Sequence, residues 1–443
     1  MLEFIYSVLG NLIPIIYFLL VLTFLIFVHE LGHFLAARKV GVRVLTFSIG
    51  FGPRLFGIKR GDTDYRISAI PFGGYVKLAG EDPDTQNGSA DELSSKSVPS
   101  RLLVFVAGAA MNAVAAVVLV AVLSFIGMYV EEPVVGWVIP DSPAANAGFE
   151  IGDRITHIDT VAISSWKDAI KEFFKDPDKT VPVQVERTGA IKTIMFAPGK
   201  DFKSYPMGGI TPPVTLVVQG VMEGYPVVEA GITPGDEIAA VNGEPIRAFE
   251  QLQRAVQSFS GEPLTVTIKR GDDTFSKNII PKFNEEAEKY FLGINFELRG
   301  NQYLKKYGFF ESIQRGFTIN YDNCKLMYQM LWQLIAGKES VRENLVGPLG
   351  IGVITAKVAQ TGFRNLMEFT ALISLNLAII NLLPIPILDG GLILFLLIEL
   401  IRRKPLNEKI QIAVQNIFFL LIIAVALIIT YNDVLRFFFG IYP

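Results

Sequence analysis

The sequence predicts a polytopic α-helical membrane protein with four transmembrane helices, a membrane-associated β-loop and two small β domains inserted between the second and third helices. Three observations predict it. Four apolar runs, at about 12–37, 102–128, 368–400 and 410–431, each hold the ~20 residues a helix needs to cross the hydrocarbon core. The stretch between the second and third runs is polar and repeats itself. The composition, 51% hydrophobic and 19% charged over 443 residues, with mean hydropathy +0.40, is too apolar for an ordinary soluble enzyme and too charged for a wholly embedded chain.

The first run opens with acidic Glu3, lacks a basic leader and shows no A-x-A-like cleavage site, so it is expected to be retained rather than removed as a secretory signal. Near its inner end lies HELGH, with His29, Glu30 and His33. On one helix face, imidazoles at i and i+4 can share a zinc ion, while the carboxylate between them faces the attacking water whose proton it must take. The chain has only three histidines, and two are here. Packing or interfacial histidines are the plainer alternative, but ionisable groups inside a membrane segment mark function by default.

Basic residues set the expected orientation. Arg38, Lys39, Arg43, Arg54, Lys59, Arg60, Arg66, Lys77, Lys96 and Arg101 crowd the segment between the first two runs, and Arg402, Arg403 and Lys404 sit between the last two. Both loops are therefore expected on the cytoplasmic side, which puts both termini and residues 129–367 across the membrane and HExxH near the cytoplasmic face. Within the first loop, DYRISAIPFGGYVKLAG at 64–80 alternates like a hairpin. It predicts a β-loop dipping toward the active site, tolerable where protein shields its backbone from lipid. Residues 81–99 are polar and turn-rich, as in a flexible loop. The net charge of -3 points to no particular partner, and no nucleic acid is expected.

Sliding the chain by 83 residues superposes Pro143, Ala147, Gly148, Gly152, Asp153 and Ile155 on Pro226, Ala230, Gly231, Gly235, Asp236 and Ile238. In each copy a short helix ends at the first Gly, the second Gly allows a tight turn, and the Ile begins a strand. The strings SPAANAGFEIGDRITHIDTVAISSW and YPVVEAGITPGDEIAAVNGEPIRAF resemble PDZ domains of the permuted bacterial type, small β-sandwiches that accept a peptide as an added strand. The first copy has Asp159 and Thr160 where the second has the turn pair Asn242 and Gly243, so an altered turn over an unchanged core is expected. His157 lies in the first copy, as a surface or strand residue.

Beyond the second copy, Phe309, Ile313, Phe317, Met327, Met330, Leu331 and Leu334 recur near helical spacing. They suit a helix lying on the membrane face or ordinary core packing. Cys324 is alone, so no intrachain disulfide forms, and a small buried or half-buried residue is expected. The expected divisions are 1–128, 129–212, 213–285, 286–367 and 368–443.

Zinc needs a third protein ligand, and no spare histidine stands on a membrane run, so a carboxylate must supply it. In the third run, NLLPIPILDGG offers Asp389 behind Pro384 and Pro386 and ahead of two glycines. The prolines remove two backbone donors and the glycines lower local order, which exposes backbone near Asp389. A peptide must be unwound before its carbonyl is attacked, and Asn381 can hydrogen-bond the freed backbone.

HELGH, NLLPIPILDG and the repeats between them, with FSIGFGP at 47–53, IPFGGYVKLAG at 70–80 and AGAAMN at 107–112, resemble the site-2 protease family of intramembrane zinc proteases over nearly the full length. The resemblance implies Zn2+ held by His29, His33 and Asp389, with Glu30 as general base. It implies that Asn381, Pro384 and Pro386 hold substrate, and that Gly73, Gly74, Tyr75 and Val76 belong to a reentrant β-loop that pairs with an extended substrate. Ala109 replaces the proline usual in the family, a change expected to affect packing slightly and chemistry not at all. Implied substrates are single-pass membrane proteins, namely an anti-sigma factor and leftover signal peptides, in the inner membrane of a bacterium under envelope stress.

For the PDZ-like pair two roles stand open: capture of a peptide C-terminus, or a size filter against substrates with an intact outer domain, the second more strongly implied. A catalytically inactive PDZ scaffold or chaperone is the alternative from another class. A transporter also suits Asp389 on a Pro-broken helix, though four helices without a repeated half speak against it.

Overall fold

In a computed structural model that describes residues 2–82, 86–201, 205–285, 287–337 and 346–438, the chain forms two compact units. One joins Met1–Met128 to Lys306–Pro443; the other is Tyr129–Lys305.

The first unit opens with α1 (Leu2–Lys39), followed by β1 (Val44–Arg60), β2 (Thr63–Leu78) and α2 (Val98–Ile126). The predicted hairpin is more than a hairpin. Val44–Ile49 pair with Gly74–Leu78 on one side and with Asp64–Ile67 on the other, while Arg54–Arg60 pair with Thr63–Ser68. Two long bent strands thus make four antiparallel rungs, with Gly74–Leu78 as an edge. The sheet's near end packs on α1 through Phe34, Val44, Phe47 and Leu78, whereas Leu55, Phe56, Ile58 and Ile67 at the far end are exposed. Residues 86–97 form neither helix nor strand, yet Glu92 among them is buried, accepting the amides of Asn87 and Gly88 at 2.9 and 3.1 Å.

The second unit contains β3 (Met128–Glu131), β4 (Trp137–Val138), α3 (Pro143–Ala147), β5 (Arg154–Ile158), β6 (Val161–Ala162), α4 (Trp166–Phe173), β7 (Val181–Arg187), β8 (Ala190–Phe196) and β9 (Ile210–Thr211). It continues with β10 (Val214–Val221), α5 (Pro226–Glu229), β11 (Glu237–Val241), β12 (Glu244–Pro245), α6 (Phe249–Gln257), β13 (Leu264–Arg270), β14 (Asp273–Ile279), β15 (Lys282–Asn284), β16 (Lys289–Phe291), β17 (Ile294–Gly300) and β18 (Gln302–Lys305). A first β domain carries the sheet β6-β5-β7-β8 and the pair β4-β9; a second carries β14-β13-β11-β10-β17. Each encloses its own apolar core, with Ile155, Trp166, Val183 and Phe196 in one and Leu216, Ile238, Leu252 and Val266 in the other. Asn242 and Gly243 both take positive φ in the second domain, whereas in the first only Asp159 does, so the turn differs over equivalent cores. His157 lies in β5.

The duplication extends to an ion pair. Arg187 grips Asp153 at 2.6 and 2.7 Å and donates to the Gly148 carbonyl; Arg270 grips Asp236 at 2.7 and 2.8 Å and donates to the Gly231 carbonyl. The Arg270 guanidinium holds the Asp236 carboxyl below the usual carboxylate range. A folded value below the unfolded one, about 3.9, contributes stability that is present above that pH and is lost as pH falls through the folded value. Both aspartates are fully buried, but Arg187 is 13% exposed and Arg270 46%. Arg187→Leu is therefore expected to cost about 3–5 kcal/mol and Arg270→Leu, whose pair is partly solvent-screened, about 1–3 kcal/mol. Denaturant unfolding of the two variants tests the ordering, and equal losses would refute it.

Two expected boundaries are corrected. The second β domain does not end at 285, because β17 pairs along the whole of β10 and completes the sheet. Its signal in sequence is weak: INFELRG follows a polar stretch and looks like the start of a new segment. The division at 367 falls inside a helix of the first unit. That unit resumes with α7 (Phe309–Ile335), α8 (Pro348–Gln360), α9 (Phe363–Asn381), α10 (Asp389–Arg402) and α11 (Glu408–Phe438). The third apolar run is thus two helices separated by seven residues around Pro384 and Pro386, since neither proline can donate to a helical carbonyl.

Among the described residues four helices are long and apolar enough to cross a membrane: Ile16–Lys39, Val98–Ile126, Phe363–Asn381 and Lys409–Leu435. In α7, Ser312, Gly316 and Asn320 form a buried stripe, and a Cβ on Gly316 would meet the Val117 carbonyl of α2. The opposite face leaves Phe310, Phe317, Tyr321 and Trp332 exposed, while Met327 and Leu331 pack against Ala116, Leu375 and Ile379, the core packing expected of them. Cys324 is half-buried on α7. Arg101 of α2 pairs with Glu399 of α10, and buried Asp433 of α11 accepts the amides of Gly347 and Gly350 at the start of α8.

Candidate metal centre and active site

His29 and His33 lie one turn apart on α1 and turn their Nε2 atoms toward each other, 3.1 Å apart. Asp389 Oδ2 stands 3.2 Å from the first and 3.4 Å from the second. Ligand atoms held about 2.0–2.1 Å from a tetrahedral zinc are roughly 3.3 Å apart, so the three atoms already have the spacing of one face of such a site. Among the described residues Asp389 Oδ2 has no hydrogen-bond donor, which is the state expected of an oxygen reserved for a cation. The side chains are 12–15% exposed, enough for water to reach them.

Local sequence explains each placement. The helical repeat brings i and i+4 to one face. His33 Nδ1 donates to the Val104 carbonyl at 2.8 Å, which leaves Nε2 unprotonated for a metal. Gly108 on α2 makes room for both rings, since a Cβ there would lie 2.3 Å from His33 Nε2 and 2.8 Å from His29 Cε1. Asp389 opens α10, where the helix macrodipole favours a carboxylate. Gly390 and Gly391 let that first turn fold against the broken segment: Cβ atoms there would strike the carbonyls of Leu383 and Ile385 at 2.1 and 2.3 Å.

Glu30 faces the sheet edge. Its carboxylate accepts the Val76 amide, and a Cβ on Gly74 would stand 3.4 Å from Glu30 Cγ. One pleat along, the Leu78 amide turns the same way, to Glu81 at 3.0 Å. Tyr75 points to the other face, stacked on Phe51 at 6.0 Å with the Arg66 guanidinium above it. Gly73, with φ 105, adjoins Phe51 as well. Of the four loop residues singled out by sequence, Gly74 and Val76 therefore reach Glu30, while Gly73 and Tyr75 do not.

Asn381 is the last residue of α9, with its Nδ2 3.5 Å from His29 Nδ1. Pro384 is exposed and Pro386 buried in the break that follows. Ala109 is fully buried in α2. Val104, Gly108 and Asn112 went unrecognised as site residues in sequence; Gly108 and Asn112 lie in AGAAMN, and all three share the i, i+4, i+8 spacing that puts them on a single face of α2.

His29, His33 and Asp389 thus form a group that could hold a metal ion, with Glu30 beside it. The family model for peptidase family M50 matches residues 17–425, and the chain belongs to that family. The regulator of sigma E protease of Haemophilus influenzae is 32% identical over 440 residues, covering 95% of this chain and 98% of the relative. The zinc metalloprotease RasP of Geobacillus kaustophilus is 30% identical over 465 residues, covering 96% and 98%. Among solved structures, the PDZ domain of the SdrC-like protein from Listeria monocytogenes aligns with 18% of this chain and 85% of its own length, at 18% identity and a TM-score of 0.17. The chain is a zinc metalloprotease and a membrane protein.

Proposed function

We propose that this chain is an intramembrane endopeptidase in which His29, His33 and Asp389 hold the zinc and Glu30 is the general base. The observation that carries the reading is the triangle of Nε2, Nε2 and Oδ2 atoms, 3.1–3.4 Å on a side, with both imidazoles on a helix apolar enough to cross a bilayer. Zinc, when bound, supplies the Lewis acidity that polarises the scissile carbonyl and makes a nearby water acidic. Glu30 takes that water's proton and passes it to the departing amine. An extended substrate adds to the Gly74–Leu78 edge, where it competes with Glu30 for the Val76 amide and so brings its carbonyl beside the base. Asn381 and the Pro384–Pro386 segment hold its other side.

The chain crosses the inner membrane four times with its termini and inserted unit on the periplasmic side, a reading that the basic loops at 38–101 and 402–404 support. The exposed apolar far end of the sheet dips into the bilayer. The duplicated β domains are PDZ-like and act as a size filter, and the substrates are single-pass proteins such as an anti-sigma factor and remnant signal peptides. The relative named as a sigma E regulator supports this substrate class.

The test is cleavage of a tagged single-pass peptide by the full chain in detergent or vesicles. Cleavage is expected to stop with a zinc chelator and to return when zinc is restored. Removal of 129–305 is expected to permit premature cleavage of a substrate that retains its outer domain. Loss of all cleavage with zinc still bound would favour peptide capture over filtering.

A further inference from the structure

His29 offers two nitrogens, and only one faces the metal centre. Nε2 turns to His33 and Asp389, while Nδ1 points away toward Asn112 of α2 and Asn381 of α9, 3.5 Å from the side-chain nitrogen of each. A neutral imidazole that gives its Nε2 lone pair to a metal carries its proton on Nδ1, so Nδ1 is a donor in need of an oxygen. His33 meets that need with the Val104 carbonyl. For His29, the polar groups at Nδ1 are two amides.

Asn112 has the matching need. It is 1% exposed, and among the described residues its Oδ1 has no hydrogen-bond partner. Buried polar atoms in folded proteins are paired, and an orphaned acceptor beside a donor without an acceptor calls for one rearrangement. A half-turn of the amide exchanges oxygen for nitrogen in the same space and satisfies both groups. Asn112 is also held firmly: its backbone carbonyl accepts Ser374 Oγ at 2.8 Å, and Gly108 one turn earlier touches both imidazoles. Asn381 is half-buried at the end of α9 beside the broken segment.

We propose that Asn112 is the positioning residue of His29, its side-chain oxygen accepting the Nδ1 proton and holding the ring in the tautomer that turns Nε2 to the zinc. This rests on His29 being a zinc ligand. It frees the Asn381 amide for substrate, a division of labour between two asparagines that flank one ring.

Zinc affinity of the full-length protein in detergent, measured by competition with a fluorescent chelator, tests the proposal. Outer hydrogen-bond partners of metal ligands govern about 10–100-fold in affinity, and Asn112→Leu is expected to lose that much while Asn112→Asp, which keeps the acceptor, stays near wild type. Asn381→Leu is expected to keep its zinc affinity and raise KM. If the leucine variant does not fold, Asn112→Ser, whose hydroxyl falls short of the ring, is expected to lose about tenfold. Wild-type zinc affinity in a folded Asn112→Leu or Asn112→Ser protein, or a loss in Asn381→Leu instead, overturns the assignment. The control His29→Ala separates the two readings: if it too binds zinc normally, the metal site itself is misassigned.

Discussion

Replacing Glu30 with Gln is expected to abolish peptide cleavage while leaving zinc bound. The two side chains have nearly the same shape, and the amide can still accept the Val76 amide hydrogen that the carboxylate accepts. What the amide cannot do is take a proton from water and return it to the amine. General acid–base catalysis contributes about 10²–10⁴-fold, and Glu30 serves in both directions, so a fall of at least about a thousandfold is expected. Metal analysis and single-turnover cleavage on one preparation check it. Proteolysis within tenfold of wild type would remove Glu30 from its role, and loss of zinc would make it a structural or ligating residue instead.

Replacing Asp389 with Ala or Asn is expected to strip the metal. Zinc sites bind with about 10–16 kcal/mol across four ligands, so one protein ligand accounts for roughly 3 kcal/mol, about a hundredfold in affinity. The asparagine variant is the sharper test. Asp389 also opens α10, where a polar side chain is welcome whatever its charge. If its service were only to that helix end, Asn would keep both zinc and activity. Equal zinc loss in the two variants, with helix content by circular dichroism unchanged, is the expected result.

The repeat, the apolar runs and the HExxH face were legible because each is periodic within a short window. Asp389 stands out in the sequence only through a shortage of histidines and the prolines and glycines around it, not by any pattern linking it to position 29. Less visible was β17: INFELRG is apolar at alternate places, but its partner β10 lies some eighty residues earlier, and nothing local fixes that pairing. The ion pairs of Arg187 and Arg270 stand at the same 83-residue offset as the glycines. They were recoverable by sliding the chain further, but arginines on a strand look like ordinary surface charges.

By itself, the sequence determined that His29, Glu30 and His33 share one helix turn and which segments suit a bilayer, because helical periodicity and hydropathy act over a few turns. Only the tertiary structure decided that the third apolar run breaks into α9 and α10, that an edge strand delivers the Val76 amide to Glu30, and that α2 lays Gly108 and Asn112 against the two imidazoles. The physical reason is distance along the chain: His29, Asn112 and Asp389 meet only when three helices pack together. Helix packing is governed by where a missing Cβ allows close approach, a property of surfaces that no local window contains.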